Sequence, residues 1–316
     1  MSKNISLDRD SYRKLCYNQG ADLPVFFQDW WLDVLCGRDD WQVVMYTEDP
    51  NIVAVMTYYI KKKFFFRYIT VPPLTKFMGP YFLRDFEHRK VQSILVRLLE
   101  SLPRVSGFSQ ILHYQINNWL PYKWKGYSQT AYYSYTINNI ENIESVWQNL
   151  DADYRNNKIA KAEKIYSISE DLDFDTLYQL TLQPFERQKI AIPISRTVLS
   201  ELIAECEKQK SGKSLYAVDG EGKVVAVVYL VWDAKSCYLL LAGENELSRI
   251  HGAGIYLIWE AIKYASEYLA VNTFDFLGGM SKKLERTRRQ FGAIQKPYFL
   301  ISKYTGLLKL KDIFSK

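Results

Sequence analysis

Two stretches of the chain read alike and indicate how it folds: "VVMYTEDPNIVAVMTYYIKKKFFF" at 43–66 and "LYAVDGEGKVVAVVYLVWDAKSCY" at 215–238. They align without a gap, so that Val53-Ala54-Val55 falls on Val225-Ala226-Val227, an offset of 172 residues from position 53 to position 225. In both, apolar runs alternate with short polar turns, a pattern typical of strands joined by tight turns. Each stretch therefore predicts three antiparallel strands in succession.

The likeness extends to both sides of these strands. A helix-like segment precedes each set at the same offset, "FFQDWWLDVLC" at 26–36 and "VLSELIAECEK" at 198–208. A loop, a helix and a further β-like run follow in each half: the helices at 88–102 and 254–269, the β-like runs at 108–116 and 271–279. An internal repeat on this scale indicates a duplicated supersecondary unit. We therefore expect an α/β (α+β) fold of two tandem domains, 1–140 and 141–316, each a mostly antiparallel mixed sheet flanked by helices.

Composition and charge limit the classes of protein to which this chain can belong. The formal net charge is +6, which favours anionic partners. The four cysteines are widely spaced, with no C-x-x-C pair and no metal-like grouping with the three histidines, so we expect buried thiols and no metal. The polar start "MSKNISLDRDSYRK" lacks a secretory signal, and no apolar run approaches the roughly 20 residues that span a bilayer. We expect a cytoplasmic location.

The sequence "RIHGAG" at 249–254 stands directly before the helix of the second half. Glycines let a backbone approach a ligand closely, and the N–H groups of a helix's first turn favour an anion. Arg249 adds a guanidinium that suits phosphate, so we expect Arg249, Gly252, Ala253 and Gly254 to bind the phosphate of a donor. The matching place in the first half has Pro80, which donates no N–H, and bulky neighbours. That half is expected to serve the acceptor.

The order strand, R-x-x-G-x-G, helix, strand, then "FGAIQKPYFLISK" at 291–303 resembles the GNAT acyltransferase superfamily. In that superfamily the loop holds the pyrophosphate of acyl-CoA. The tandem arrangement resembles its Fem-like branch, which includes peptidoglycan aminoacyltransferases and bacterial acetyltransferase-like proteins. The strings that carry this likeness are "FFQDWWLDVL", "YRNNKIAKAEK" and "FDFLGGMSKKLERTRRQFGAIQKPYF".

The resemblance implies an acyltransferase that moves an acetyl or related acyl group from acyl-CoA to an amine or hydroxyl of a cell-envelope or sugar-type acceptor. Fem enzymes use aminoacyl-tRNA, so aminoacyl transfer to a peptidoglycan precursor is an alternative, with tRNA as a partner. The coiled-coil arm of some Fem enzymes has no counterpart here, since no sustained heptads occur. A non-catalytic module that binds glycan or RNA is a further alternative, because no general base stands out.

Three residues are candidates for proton transfer. Asp275 lies between Phe274 and Phe276 on a short strand, and burial disfavours a charged carboxylate, so it is either a general base or an acceptor that holds the following Gly278-Gly279 turn. Glu186, in "QPFERQ" on an expected loop, is either a second base or a solvated charge. His251 within the 249–254 loop either moves a proton or is an exposed turn residue.

The remaining candidates are positively charged or aromatic. Lys282, Lys283 and Arg286 belong to a basic run that is either a clamp on an anionic substrate or a solvated helix face. We expect these three residues, with Tyr298, to bind substrate. The turn from Lys61 to Arg67 is compatible with peripheral contact to a membrane or RNA, and equally with a plain hairpin loop.

Overall fold

The computed structural model describes residues 4–19, 23–170, 172–189 and 195–305. Backbone contacts divide the chain into two compact units, the first made of residues 1–132 and 297–316 and the second of residues 133–296. The domain boundaries 1–140 and 141–316 stay a prediction, and the contacts group residues from 297 onward with the first unit.

The first half of the chain contains the elements of the first repeat. Its strands are β1 (Ile5–Ser6), β2 (Trp41–Glu48), β3 (Asn51–Lys63), β4 (Phe66–Thr70), β5 (Pro80–Phe82) and β6 (Gly107–Ile111). Its helices are α1 (Arg9–Gln19), α2 (Asp29–Cys36), α3 (His88–Glu100) and α4 (Leu120–Trp124), and a 3-10 turn at Val25–Phe27 precedes α2. The three successive strands predicted from 43–66 are confirmed as β2, β3 and β4.

The second half repeats this order. Its strands are β7 (Ser128–Asn138), β8 (Ser167–Glu170), β9 (Gly212–Val218), β10 (Val224–Trp232), β11 (Ser236–Glu244), β12 (Thr273–Asp275) and β13 (Ile294–Tyr304). Its helices are α5 (Ile143–Asn149), α6 (Ala160–Ala162), α7 (Phe174–Gln188), α8 (Arg196–Lys208), α9 (Glu246–Arg249), α10 (Ala253–Glu267) and α11 (Lys282–Gln290), with a π-helix at Tyr154–Ile159 before α6. The strands predicted from 215–238 are confirmed as β9, β10 and β11.

The two units have sheets of matching strand order. The first runs β1-β2-β3-β4-β6-β13, with β5 paired to β3, and the second runs β8-β9-β10-β11-β12-β7. Neighbours are antiparallel except for one parallel pair in each, β4 with β6 and β11 with β12. In both units a helix, α3 or α10, connects the two parallel strands, as parallel pairing requires. The predicted tandem, mostly antiparallel α/β fold is confirmed.

The central strand of each unit is buried on both faces. Val53–Tyr58 of β3 and Val225–Val231 of β10 are buried without interruption. Strands covered on both sides read as continuous apolar runs, which is why the two "VAV" segments are the most alike part of the repeat. In the second unit, α10 packs Leu257, Ala261 and Ile262 against this strand. A leucine or isoleucine side chain contributes about 1.5–3 kcal/mol when it is fully buried.

The remaining composition-based expectations concern thiols, metals and membranes. All four cysteines are buried free thiols, as expected. Among the residues that the structure describes, no group of His, Cys, Asp and Glu is arranged to hold a metal ion. Nor does any helix in these described ranges combine the length and apolar character needed to cross a membrane.

Candidate functional site

The parallel strands β11 and β12 of the second unit pair over three residues and then separate. Tyr238 is the last residue of β11 that pairs with β12, opposite Asp275, where β12 ends. In the described ladder, β11 then continues from Leu239 to Glu244 without β12 beside it. Crevices at the carboxyl ends of parallel strands are the places where ligands bind in α/β sheets. The 249–254 loop follows this end of β11, so it belongs to the same region.

A β-bulge in β11 decides which side chain reaches the loop. Tyr229 of β10 pairs with Leu241, but the next pair joins Leu230 to Leu239, so Leu240 is an extra residue. A bulge reverses the alternation of side chains beyond it. Glu244 therefore lies opposite Ala226, on the sheet face that packs against α10.

The start of α10 is shaped by two glycines. Gly252 has φ +81°, a left-handed conformation that disfavours other residues, and it caps the helix. A Cβ at Gly252 would lie 3.3 Å from the carbonyl oxygen of Lys158. A Cβ at Gly254 would collide with the carboxylate of Glu244. The glycines thus permit a close approach to the helix start, and Glu244 makes that approach.

Glu244 places a carboxylate at the position predicted for the donor's phosphate. The N–H of Gly254 donates a hydrogen bond to this carboxylate, and Arg249 Nε lies 3.3 Å from Oε1. Burial raises the pKa of Glu244, while Arg249, Arg187 and the Gly254 N–H oppose that rise. Arg187 also donates from Nη1 to the Glu244 carbonyl oxygen at 2.9 Å. The helix start therefore holds an anion that the chain itself supplies.

The predicted donor-binding residues occupy different positions around this carboxylate. Arg249 is the last residue of α9 and forms the ion pair with Glu244. Ala253 is fully buried, so only its backbone is in a position to serve a ligand. His251 is exposed on the turn between α9 and α10. Sequence reasoning missed Glu244 and Arg187, although Glu244 ends the strand directly before the loop.

Asp275 is the centre of a buried polar cluster in the second unit. Asp275 is only 1% exposed. Its Oδ1 accepts hydrogen bonds of 2.8 Å from Ser134 Oγ and from the Leu277 N–H. The hydrogen bond from Leu277 holds the chain just before Gly278. This contact fits the second of the two predicted roles of Asp275, in which it accepts hydrogen bonds that hold the Gly278-Gly279 turn. Arg288 of α11 interacts electrostatically with Asp275.

Arg288 brings a buried cation to this cluster. Its guanidinium carbon lies 4.6 Å from the centre of the Phe276 ring. Burial lowers the pKa of Arg288 to about 10, and Tyr154 and Asp275 oppose that change, so the group stays charged at neutral pH. Tyr154 comes from the π-helix, a rare form that often marks functional sites. Burial raises the pKa of Tyr154, opposed by its hydrogen bond to Thr287 and by the charge of Arg288.

The other predicted site residues lie elsewhere. Glu186 is exposed in the last turn of α7, so its expected position on a loop is wrong. Lys282, Lys283 and Arg286 are exposed on α11. Tyr298 belongs to the first unit, where it stacks on Tyr132 and the Lys76 ammonium lies 3.8 Å from its ring centre. The structure therefore groups the α11 residues with the second unit and Tyr298 with the first.

In the described part of the first unit, a paired strand stands where the second unit has the 249–254 loop. The segment from Pro80 to Phe82 is the strand β5, paired with β3, and Gly79 has φ +135°. The Phe82 N–H donates to Gln115 Oε1 at 2.8 Å, and Gln115 Nε2 donates back to the Phe82 carbonyl at 2.9 Å. These backbone groups are already used within the unit. The expectation that donor phosphate binds only in the second half stays a prediction.

Part of the second unit matches a known protein family. Residues 152–283 match the acetyltransferase (GNAT) domain family, so this part of the chain is similar to a GNAT domain. This match supports acyltransferase activity in general for the protein. No curated protein matches the chain significantly.

Solved structures share the fold at low sequence identity. FemX aligns with a TM-score of 0.66 at 10% identity, over 87% of this chain and 90% of its own. The C-terminal domain of a putative lysylphosphatidylglycerol synthetase from Agrobacterium fabrum gives 0.58 at 13% identity, over 97% of both chains. L-PGS from Bacillus licheniformis gives 0.51 at 11% identity, over 87% of both chains. Similarity at these identities shows that the chain shares its fold with these three structures.

Proposed function

We propose that the protein is an acyltransferase that takes an acetyl or related acyl group from acyl-CoA and passes it to an amine or hydroxyl of a cell-envelope or sugar-type acceptor. The observation that carries this proposal is the anion position at the start of α10. There the Gly254 N–H and Arg249 hold the carboxylate of Glu244. A helix start that offers a backbone N–H, a dipole and an arginine to an anion suits phosphate equally. The donor's pyrophosphate replaces the carboxylate in this proposal.

The rest of the donor follows β11 toward β12. Glu244 stands six positions after Tyr238, which pairs with Asp275, so the distance along the strand is about 20 Å. An extended thioester donor suits such a path, because its phosphates and its acyl group are far apart. Backbone N–H groups of β11 would polarise the acyl carbonyl, and a donor of this kind contributes about 3 kcal/mol to catalysis.

The acyl group is transferred by direct attack of the acceptor on the thioester carbonyl. The acceptor's amine or hydroxyl forms the new bond to the acyl carbon, the carbon–sulfur bond breaks, and coenzyme A leaves as its thiolate. The acceptor's proton passes to a base. Asp275 already accepts two hydrogen bonds, so we assign it the positioning of the strand end. His251 and Glu186 are exposed and are the candidates for proton transfer. Lys282, Lys283 and Arg286 are exposed cations for an anionic part of the acceptor.

Titration calorimetry with acetyl-CoA tests this proposal directly. We expect a single site in the full chain, with coenzyme A itself competing for it. Absence of binding at millimolar acetyl-CoA would remove the acyl-CoA donor from consideration. Acetyl transfer to amino sugars and other cell-envelope precursors then identifies the acceptor.

Gly254→Val is expected to weaken acetyl-CoA binding at least about tenfold, because the new side chain fills the approach to the helix start. Gly220→Val is the matched control, since a Cβ at Gly220 meets nothing within 4 Å. Gly79→Val is unsuitable as a control because Gly79 has φ +135° and a Cβ there would lie 3.1 Å from Gln110. Equal affinities of the Gly254 and Gly220 variants, with circular dichroism unchanged, would contradict the predicted donor position.

Glu244 also favours a second candidate, an aminoacyl donor. A carboxylate at the start of α10 repels pyrophosphate but attracts the α-ammonium of an aminoacyl group. Structural neighbours include FemX and proteins named for lysylphosphatidylglycerol synthesis, a name that describes an aminoacylated lipid. The test is transfer of a labelled amino acid from charged tRNA to a lipid-linked peptidoglycan precursor. Sensitivity of the reaction to ribonuclease supports this donor, and insensitivity contradicts it.

A further inference from the structure

The hairpin between β3 and β4 of the first unit extends past its neighbouring strands. Pairing of β3 with β2 stops at Tyr59, and pairing of β4 with β6 starts at Tyr68. Between these points Lys61 pairs with Tyr68, Lys62 with Arg67 and Lys63 with Phe66. In the strand pairings that the structure describes, the segment from Lys61 to Phe66 is thus joined only to the other arm of the hairpin. We call residues 61–67 the finger.

Two phenylalanines form the tip of the finger. Phe64 is 86% exposed and Phe65 is 100% exposed. Phe64 has φ +53°, whereas two-residue hairpin turns favour Gly, Asn or Asp because these residues tolerate positive φ. A bulky aromatic residue at such an angle is an outlier. Neither turn geometry nor core packing explains these side chains, so their exposure needs another cause.

The charge around the tip has one sign. Lys61, Lys62, Lys63 and Arg67 are all exposed. From residue 51 to residue 84 the chain has six Lys and Arg and no Asp or Glu. Within the described ranges, none of these four cations forms an ion pair, whereas Arg84 at the far end of this stretch pairs with Glu48. The finger therefore presents two aromatic rings surrounded by unpaired positive charge.

We propose that the finger binds a membrane surface that contains anionic lipids. The two phenyl rings enter the boundary between headgroups and acyl chains, and the lysines and the arginine contact lipid phosphates. RNA would share the attraction to the cations. However, the rings stand at a narrow apex, whereas proteins that stack bases combine rings with a groove that tracks the strand. The membrane is therefore the partner that fits both the rings and the charges.

The proposal stands on the first unit alone and does not depend on acyl transfer. Its consequence is that the protein works beside a lipid surface, whatever reaction it performs. Because a short aromatic tip with a few charges is a modest anchor, we expect reversible binding that high salt weakens.

Co-sedimentation of the full chain with vesicles tests the finger. We expect binding to vesicles of phosphatidylcholine mixed with phosphatidylglycerol and little binding to phosphatidylcholine alone. The change F64S/F65S keeps the charge and is expected to weaken binding about tenfold or more. Tyr17→Ser is the matched control, because Tyr17 is 91% exposed on α1. Equal binding of both variants would overturn the proposal.

Charge reversal separates the finger from the general positive charge of the chain. K62E/K63E is expected to weaken binding to the anionic vesicles about tenfold or more, since each basic side chain near the surface adds to the attraction for anionic lipids. K161E/K164E makes the same change in net charge at two other exposed lysines and should bind nearly as well as the wild type. Equal losses from the two pairs would assign the attraction to net charge and overturn the proposal.

Insertion has a spectroscopic signature that peripheral attraction lacks. An environment-sensitive dye on Phe65→Cys should shift its emission to the blue when anionic vesicles are added, and the same dye on Tyr17→Cys should not. The native cysteines are buried, so labelling is directed to the new thiol. An unchanged dye signal on bound vesicles, or binding of single-stranded RNA without binding of vesicles, would contradict the membrane proposal.

Discussion

Glu244→Gln is expected to strengthen the binding of acetyl-CoA about a hundredfold, which is about 2.7 kcal/mol. In the wild type, a donor phosphate at the start of α10 must displace the Glu244 carboxylate from the Gly254 N–H and from Arg249. Two like charges about 4 Å apart near a protein surface repel by about 4 kcal/mol, so even incomplete displacement is costly. Glutamine keeps the shape of the side chain and removes that repulsion.

Glu246→Gln is the matched control for this measurement. Glu246 is exposed in the first turn of α9, and its replacement removes the same charge two residues further along the chain. We expect its affinity for acetyl-CoA to stay within about threefold of the wild type, because surface charges are screened. Calorimetry of the three proteins at one salt concentration gives the comparison.

The direction of the Glu244→Gln effect separates the two donors. Tighter acetyl-CoA binding supports the phosphate position at α10. Loss of aminoacyl transfer, with acetyl-CoA binding absent in both forms, supports a carboxylate that holds an ammonium group. If neither donor binds to either form, the chain is a GNAT fold without these activities, and a glycan- or RNA-binding module becomes the better hypothesis.

Asp275→Ala is expected to lower the free energy of unfolding by about 2–4 kcal/mol, because it leaves buried polar groups without their acceptor. The change removes the acceptor of the Ser134 hydroxyl and of the Leu277 N–H, and it takes away a carboxylate that favours the charged form of Arg288. Denaturant titration followed by circular dichroism measures the loss. A loss below about 1 kcal/mol would contradict the expected contribution of the buried contacts of Asp275 to stability.

A double-mutant cycle tests the coupling itself. If Asp275 and Arg288 stabilise one another, the double change D275A/R288M should cost clearly less than the sum of the single changes. Additive losses would contradict the coupling. Asp275→Asn adds the test for catalysis: a positioning residue loses stability and activity together, whereas a general base loses kcat with stability nearly retained.

The repeat was readable from the sequence because two chemically similar strands are buried on both faces. Val53 and Val225 lie in such strands, and continuous apolar runs at a fixed offset leave few alternatives. The strand–loop–helix order around Gly252 and Gly254 was readable for a related reason, since the left-handed cap at Gly252 requires glycine. These features depend on local residue types.

The contacts between side chains at the site were harder to predict from the sequence, because the directions of these side chains depend on irregular backbone. The sequence around Leu240 contains no residue pattern that predicts the bulge, and this bulge turns Glu244 toward α10. Glu186 was expected on a loop, yet α7 continues through Pro184 to Gln188. Arg288 belongs to the basic run that was interpreted as either a clamp or a solvated helix face, yet it is buried, three residues before the buried Phe291. Helical spacing from Phe291 would have indicated its burial.

The strand order also has a consequence for how the protein is made. The first sheet uses β13 as its outer strand beside β6, and β13 is the last strand described along the chain. All residues of the second sheet precede Pro297, so they leave the ribosome before the partner of β6 does. Domains usually complete in N-to-C order during synthesis. Here the N-terminal sheet finishes last, and β6 is an unpaired edge, open to pairing with other nascent chains, for nearly two hundred residues of translation.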